Sequence, residues 1–402
     1  MKIQPNAFAF KLVLGLLCSL PTFGIDMILP SLPETGAALR ASPSNIGLAM
    51  SAYLLGLGGA LLIYGPVSDR IGRKPVLVFG SALLIAASIG CCFAQSFPQL
   101  LFFRALQGAG ASGPGTAAVT IVGDVFEGAA ARAIMSNLVM AVNIVPMMAP
   151  SVGAALLRVG TWRTIYLVPL AGGLVLLLVT RSLAETAKLE SGASMRPSTV
   201  VRDYIRVLQN PICLGNILCN AAAAGAVFAY ITGSSLFFVS AMGLSPSEYG
   251  LIFGASSLSV MGGTVVNNRL AKLGIPPGQL IMLGLACAMG FAVLLLLMVV
   301  AGGRSLFLVA IVMTGVALAF GLISPNAMAA TMQPLPKIAG SAGAVLMFVQ
   351  MLSAASSSAL VAALFDGRSA TSMAVVMAGF SIVATAAYAG IVRPAERLVP
   401  VA

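Results

Sequence analysis

The chain is a succession of long apolar runs separated by short polar or Pro/Gly-rich breaks. A helix that crosses a bilayer needs about 20 mainly apolar residues. Runs of that kind fall near 9–31, 44–66, 75–94, 98–122, 132–157, 162–182, 211–238, 247–269, 278–301, 304–329, 338–365 and 370–392. The breaks carry charge, proline or glycine: "RIGRKP", "SFPQ", "GAAAR", "LGIPPGQ", "AGGRS", "QPLPK" and "FDGRS". This pattern predicts an all-α membrane protein with twelve transmembrane helices. The longest polar stretch, Leu183–Gln209, follows the sixth run and divides the chain six plus six. The expected organisation is a six-helix bundle over 1–182, a cytoplasmic linker over 183–210 and a second six-helix bundle over 211–402. Within the linker, "STVVRDYIRVL" has the spacing of a short amphipathic helix on the inner membrane surface.

The second half weakly echoes the first. After the second run comes "GPVSDRIGRKP"; after the eighth, in the corresponding place, comes "VVNNRLAKLGIPP". Arg70 then aligns with Arg269 and Asp69 with Asn268. An internal repeat of this kind predicts two pseudo-symmetric halves, with a substrate cavity between them near the midplane.

Composition agrees with the pattern. Of 402 residues, 59% are hydrophobic and 8% charged, against about 25% charged in a soluble domain. The net charge of +11 needs no nucleic-acid partner, because its distribution follows membrane orientation. With both termini cytoplasmic, sixteen Lys and Arg fall inside and five (Arg40, Arg158, Arg163, Arg304, Arg368) outside. Histidine is absent, which removes the usual zinc ligands and the Ser–His and Cys–His catalytic pairs. The six cysteines lie in apolar runs, with no metal or disulfide spacing. No cofactor and no metal are expected. There is no GxxxxGK[ST] loop, so ATP is not the direct fuel. No cleavable signal peptide is expected, since the first apolar run continues past residue 20.

Against that apolar background a few polar groups stand out. "GPVSDRIGRKP" (Gly65–Pro75) carries Asp69, Arg70, Arg73 and Lys74, too many charges for a purely topological turn, and Pro66 and Gly72 limit how regular the link can be. This stretch resembles the G-x-x-x-D-R-x-G-R-[RK] motif of the major facilitator superfamily. The resemblance implies a conformational latch made of Gly65, Asp69, Arg70, Gly72, Arg73 and Lys74. Arg73 is then expected to reach an acid at the cytoplasmic end of the fourth helix, where "IVGDVFEG" supplies Asp124.

The fourth run carries "FRALQGAGASG", with Arg104 inside the membrane. It is similar to the R-x-x-x-G element of the same superfamily, which implies proton transfer or tuning of a nearby carboxylate. Snorkelling of Arg104 to the outer surface is the simpler reading. The fifth run carries "NIVPMMAPSVGAALL", in which Pro146, Pro150 and Gly153 fall in an uncharged stretch. Proline bends a membrane helix and frees carbonyls. The "AP-x-x-G" piece resembles the antiporter motif of the drug-exporting branch.

"FGIDMILPSLP" holds the one carboxylate of the first run, Asp26. A lone charge there costs roughly 2.5–3.5 kcal/mol at a bilayer centre on insertion scales. The stretch resembles the D-x-Y-L-P-x-[LV]-P of the Bcr/CflA-type bicyclomycin and phenicol exporters, with Ile28 in place of the tyrosine. "APSVGAAL", "SPNAMAA" and "NNRLAKLG" are similar to that group as well. The resemblance implies that Asp26 couples transport to protons, and burial, which disfavours the charged carboxylate, suits it to that task. Some relatives of that group carry a second acid two turns earlier; here that position is Cys18. Coupling through one acid is therefore expected.

The expected function is drug:H+ antiport by alternating access, in a bacterial inner membrane, by a multi-pass chain acting as a monomer. Its partners are the bilayer, protons and small lipophilic drugs. Candidate cavity residues are Phe23, Met27, Tyr53, Asn143, Met147, Phe228, Tyr230, Phe237, Asn326 and Gln350. The alternative is a carrier for a small metabolite such as a sugar, nucleoside or amino acid, which the scarcity of interior polar groups disfavours. A membrane enzyme lacks a visible nucleophile or metal constellation, and a sensor lacks a signalling domain.

Overall fold

The computed structural model describes residues 8–187, 197–303 and 305–398. Among them the chain is helical throughout: α1 Phe8–Asp26, α2 Leu32–Ala38, α3 Pro43–Ile46, α4 Leu48–Ile71, α5 Arg73–Cys92, α6 Phe97–Val125, α7 Gly128–Val159 and α8 Leu167–Ser182. Beyond these come α9 Pro197–Gln209, α10 Pro211–Ser235, α11 Pro246–Lys272, α12 Pro277–Val300, α13 Leu306–Met332, α14 Ala339–Ala363, α15 Thr371–Ala387 and α16 Arg393–Leu398. Among the described residues, eleven helical stretches are long and apolar enough to cross a membrane. The twelfth long helix, α6, is not one of these, because Arg104, Gln107 and a run of Gly, Ser and Thr dilute its apolar character.

Two places depart from the expected spans. The first run is not one helix: α1 stops at Asp26, a 3-10 turn covers Leu29–Ser31, and α2 comes next. Pro30 explains the break, since it has no N–H to give to the Asp26 carbonyl four residues back and its ring crowds that carbonyl. The second departure runs the other way. The Gly65–Pro75 link is almost all helix, because α4 runs through Pro66 to Ile71 and α5 starts at Arg73. The turn is confined to Gly72 at φ 101°, a conformation open to glycine and strained for side-chain-bearing residues.

The chain forms two compact units. One comprises Met1–Ala41 with Ala52–Met195, the other Ser42–Ser51 with Arg196–Ala402. In the first, α5 packs on α6 and α8, and α1 packs on α6 and α7. In the second, α10 is the centre, lying against α13, α14 and α15.

The second and fourth long helices of each set of six cross in the same manner. A Cβ on Gly56 of α4 would come 1.9 Å from the Ala105 oxygen, and one on Gly108 of α6 would come 2.0 Å from the Tyr53 oxygen. A Cβ on Gly263 of α11 would come 2.1 Å from the Leu318 oxygen, and one on Gly321 of α13 would come 2.4 Å from the Val260 oxygen. Small residues permit such backbone-to-backbone approach in membrane helices, where dispersion rather than hydrophobicity drives association. α10 and α11 have built starts. Asn210 Oδ1 accepts from the Ile212 and Cys213 amides (3.0 and 3.1 Å), and Ser245 and Glu248 form a capping box.

Candidate functional site

Asp26 is the last residue of α1. Its side chain is 3% exposed, and its Oδ1 has no hydrogen-bond partner. Met27 beyond it packs with Val145, Ala149 and Ile165, against which Phe23 also rests. Gly153 of α7 faces this break: a Cβ there would lie 2.3 Å from the Met27 oxygen. The missing side chain is what lets α7 come up to the interrupted backbone. α7 stays helical through both Pro146 and Pro150.

Arg104 does not snorkel; it is 1% exposed. Its Nη1 donates to Gln107 Oε1 (2.7 Å) and its Nη2 to the Gly24 carbonyl (3.0 Å). Gln107 Nε2 donates on to Ser88 Oγ (2.9 Å). The guanidinium carbon lies 4.3 Å from the centre of the Tyr53 ring, a cation–π distance. The Tyr53 hydroxyl donates to the Pro21 carbonyl (2.9 Å), and Gly24 leaves the space that this ring fills. Tyr53 is within electrostatic reach of both Arg104 and Asp26. Gln107 was named in the sequence only as Arg104's neighbour; its i+3 spacing on a helix is the signal for the pairing. Gly24 and Ser88 left no such signal, since only the packing of α1 and α5 on α6 brings them in.

A second polar cluster lies at the α4–α5 turn. Arg73 donates through Nε to Asp124 Oδ2 (2.9 Å), through Nη2 to Asp124 Oδ1 (3.3 Å) and through Nη1 to Ser68 Oγ (2.6 Å). Nη1 also pairs with Asp69. Arg70 and Asp69 are exposed, Lys74 and Gly65 half-buried. The chain after α8 closes over this cluster. Glu185 accepts from the Arg73 amide at Oε1 (2.8 Å) and from the Lys74 amide at Oε2 (3.0 Å). Its carboxylate thus caps α5, favourable at a helix N-terminus. A Cβ on Gly72 would come 2.6 Å from Glu185 Oε2. Lys74 Nζ donates to the Arg181 and Leu183 carbonyls (3.3 and 3.2 Å), and Thr186 Oγ1 to Asp124 Oδ2 (3.3 Å). Partial burial pushes the Glu185 carboxyl up, but hydrogen bonds from the Ala187, Arg73, Lys74 and Thr186 amides outweigh it and hold it below its ordinary range. Glu185 was missed in the sequence; an acid three residues past the end of the sixth span was the available sign.

The cavity candidates divide. Met27, Tyr53, Tyr230 and Phe237 are fully buried. Tyr230 bonds Ser256 and stacks on Phe253 at 5.5 Å, and Phe237 sits in a π-helical turn after α10. Phe23, Met147, Phe228, Asn326 and Gln350 are half-buried. Asn326 Nδ2 donates to Asn267 Oδ1 (2.6 Å). Asn143 lies outside the described side chains.

Among the described residues, twelve long helices, two of them carrying the buried Asp26 and Arg104, define a multi-pass membrane protein. Residues 14–358 match the model of the Major Facilitator Superfamily, and the chain belongs to that family. It is a transporter rather than an enzyme. It is 30% identical over 389 residues to the uncharacterized MFS-type transporter YdgK of Bacillus subtilis, covering 96% of each chain. It is 26% identical to the bicyclomycin resistance protein homolog of Haemophilus influenzae, covering 90% of this chain and 91% of that one. It is 29% identical to the multidrug resistance protein MdtL of Escherichia coli, covering 82% of each. In fold it is similar to a bacterial homologue of the human lysosomal transporter Spinster (TM-score 0.74, 14% identity, 96% of each chain). It is likewise similar to the D-xylose-proton symporter (TM-score 0.71, 15% identity, 95% of this chain and 98% of that one).

Proposed function

We propose that the chain exports lipophilic drugs in exchange for protons, by alternating access, as a monomer with both termini on the cytoplasmic side of a bacterial inner membrane. One observation carries the reading: a carboxylate, 3% exposed, with an unpartnered oxygen, at a helix break beside a buried arginine network. An ionised Asp26 there is costly unless a cation comes near, and in this reading Arg104, whose Nη2 donates to the Gly24 carbonyl two residues before Asp26, supplies it. Protonation of Asp26 from outside removes the charge; substrate arriving inside favours its return. Each charge moved across the membrane draws about 2.3 kcal/mol per 100 mV. The Asp69–Arg73–Asp124 cluster acts as the latch on one conformation, for which a few kcal/mol suffice. Kinship with a bicyclomycin resistance homolog and a multidrug resistance protein supports a drug as cargo.

The test is a drug-susceptibility panel in an efflux-deficient host. The wild type should raise the inhibitory concentration of several lipophilic drugs, and a protonophore should abolish this. Asp26→Asn, expressed at the same level, should give no protection. An Asp26→Asn variant that still protects, and pumps after the gradient is collapsed, defeats the reading.

A further inference from the structure

The second unit holds buried amides of a different character. Asn216 and Asn220 lie four residues apart on α10 and so share one face; both are 0% exposed. Asn216 Nδ2 donates to the Ile212 carbonyl (2.9 Å), and Asn220 Nδ2 donates to Gln350 Oε1 on α14 (3.1 Å). Each amide nitrogen has therefore found an acceptor. Oδ1 of Asn216 and Oδ1 of Asn220 have no partner. The atoms left with no partner are both acceptors, and buried acceptors in a folded chain are ordinarily matched.

The chain shows elsewhere what an amide pair used only as glue looks like. Asn267 Oδ1 accepts from Asn326, and neither side chain is left with a buried unpartnered atom. The α10 cluster lies deep. At 1.5 Å per residue, Asn220 is about 14 Å from the start of α10 and Gln350 about 16 Å from the start of α14, near the middle of a hydrocarbon core about 30 Å thick. Gln350 is half-buried, which gives the cluster a reachable edge. No Asp or Glu occurs on α10, α13, α14 or α15, so whatever fills the place meets carbonyl dipoles rather than charge.

We propose that Asn216, Asn220 and Gln350 form a recognition subsite for a hydrogen-bond-donating group, a hydroxyl, an amide N–H or a protonated amine, on the transported compound. The occupant's being cargo rests on the exporter reading above; the subsite's chemistry does not. A lipophilic body gives membrane partitioning, and the donor on it finds the two waiting oxygens. Compounds without N–H or O–H gain nothing there.

Binding to the purified full chain in nanodiscs tests this without any gradient. The probes are chloramphenicol (neutral, with hydroxyl and amide donors), ethidium (cationic, with amine donors) and tetraphenylphosphonium (cationic, with no donor). Asn220→Leu and Gln350→Leu should weaken chloramphenicol or ethidium about tenfold, the scale of one well-placed hydrogen bond. Tetraphenylphosphonium should change less than about twofold, and its retained binding shows that the variant is folded. Loss confined to chloramphenicol marks a neutral donor as the fit, and loss confined to ethidium a cationic one. Equal losses for all three probes, unchanged binding of all three (an ordered water as the occupant), or a wild type that binds neither donor probe overturns the proposal. Failure of the exporter reading is seen separately, in the Asp26→Asn susceptibility panel.

Discussion

The two units hold their second and fourth long helices together in two ways. Both use a reciprocal glycine crossing, Gly56 with Gly108 and Gly263 with Gly321. Toward the helix ends they diverge. The first unit adds an ionic clamp, Arg73 with Asp69 and Asp124; the second adds a neutral amide pair, Asn267 with Asn326. A neutral pair is insensitive to salt and pH and is worth about one hydrogen bond. A clamp of one arginine and two carboxylates responds to both and leaves stranded charge when opened. Among the described residues the buried charges, Asp26, Arg73 and Arg104, thus all lie in the first unit, while the second unit buries amides and hydroxyls.

Breaking the clamp gives the largest expected effect. Arg73→Ala strands the carboxylates of Asp69 and Asp124, whose side chains are 42% and 19% exposed. That partial exposure lowers the cost below the 3–5 kcal/mol of a fully buried pair, to about 2 kcal/mol. Unfolding of the purified chain measures it; a loss under about 0.5 kcal/mol is that of an ordinary surface substitution and removes the contrast between the units. In the second unit, Asn267→Leu removes one of the two acceptors of the Asn326 amide, which keeps the Leu322 carbonyl (2.8 Å), and should cost about 1 kcal/mol. The double change Asn267→Leu/Asn326→Leu should recover most of that, because matched apolar replacement removes both needs. Additive losses in the double variant argue against a neutral clamp.

The smallest effect belongs to Glu185. Glu185→Gln keeps the shape but drops the charge at the start of α5, a loss under about 1 kcal/mol given its exposure. The pH dependence is the sharper measure. The folded carboxyl titrates below its ordinary range, so its contribution is fully present above about pH 4.3 and fades as pH falls through the lower folded value. Amide exchange at Arg73 and Lys74 should accelerate in that acidic window in the wild type, relative to neighbouring amides, and show no such step in Glu185→Gln.

The spans were legible because hydropathy acts on every residue at once, and the charged turn was legible because four charges in so apolar a chain are conspicuous. The break at Asp26 was written in Pro30, whose missing N–H points back to it, yet an unbroken apolar run from Leu12 to Pro33 masks it. Tyr53 reads as a cavity residue in the sequence; in the fold its ring is the face on which Arg104 rests. Such a pairing depends on α4 and α6 crossing at Gly56 and Gly108, and no local pattern encodes which helices cross.

The strap after α8 has a consequence for biosynthesis. Ser68, Asp69, Arg73, Lys74, Asp124, Arg181, Leu183, Glu185 and Thr186 all precede residue 188. A ribosome that has released that much chain has delivered every partner of the turn. The cluster can therefore close while the last six helices are still being translated, so this turn waits on no residue still to be made.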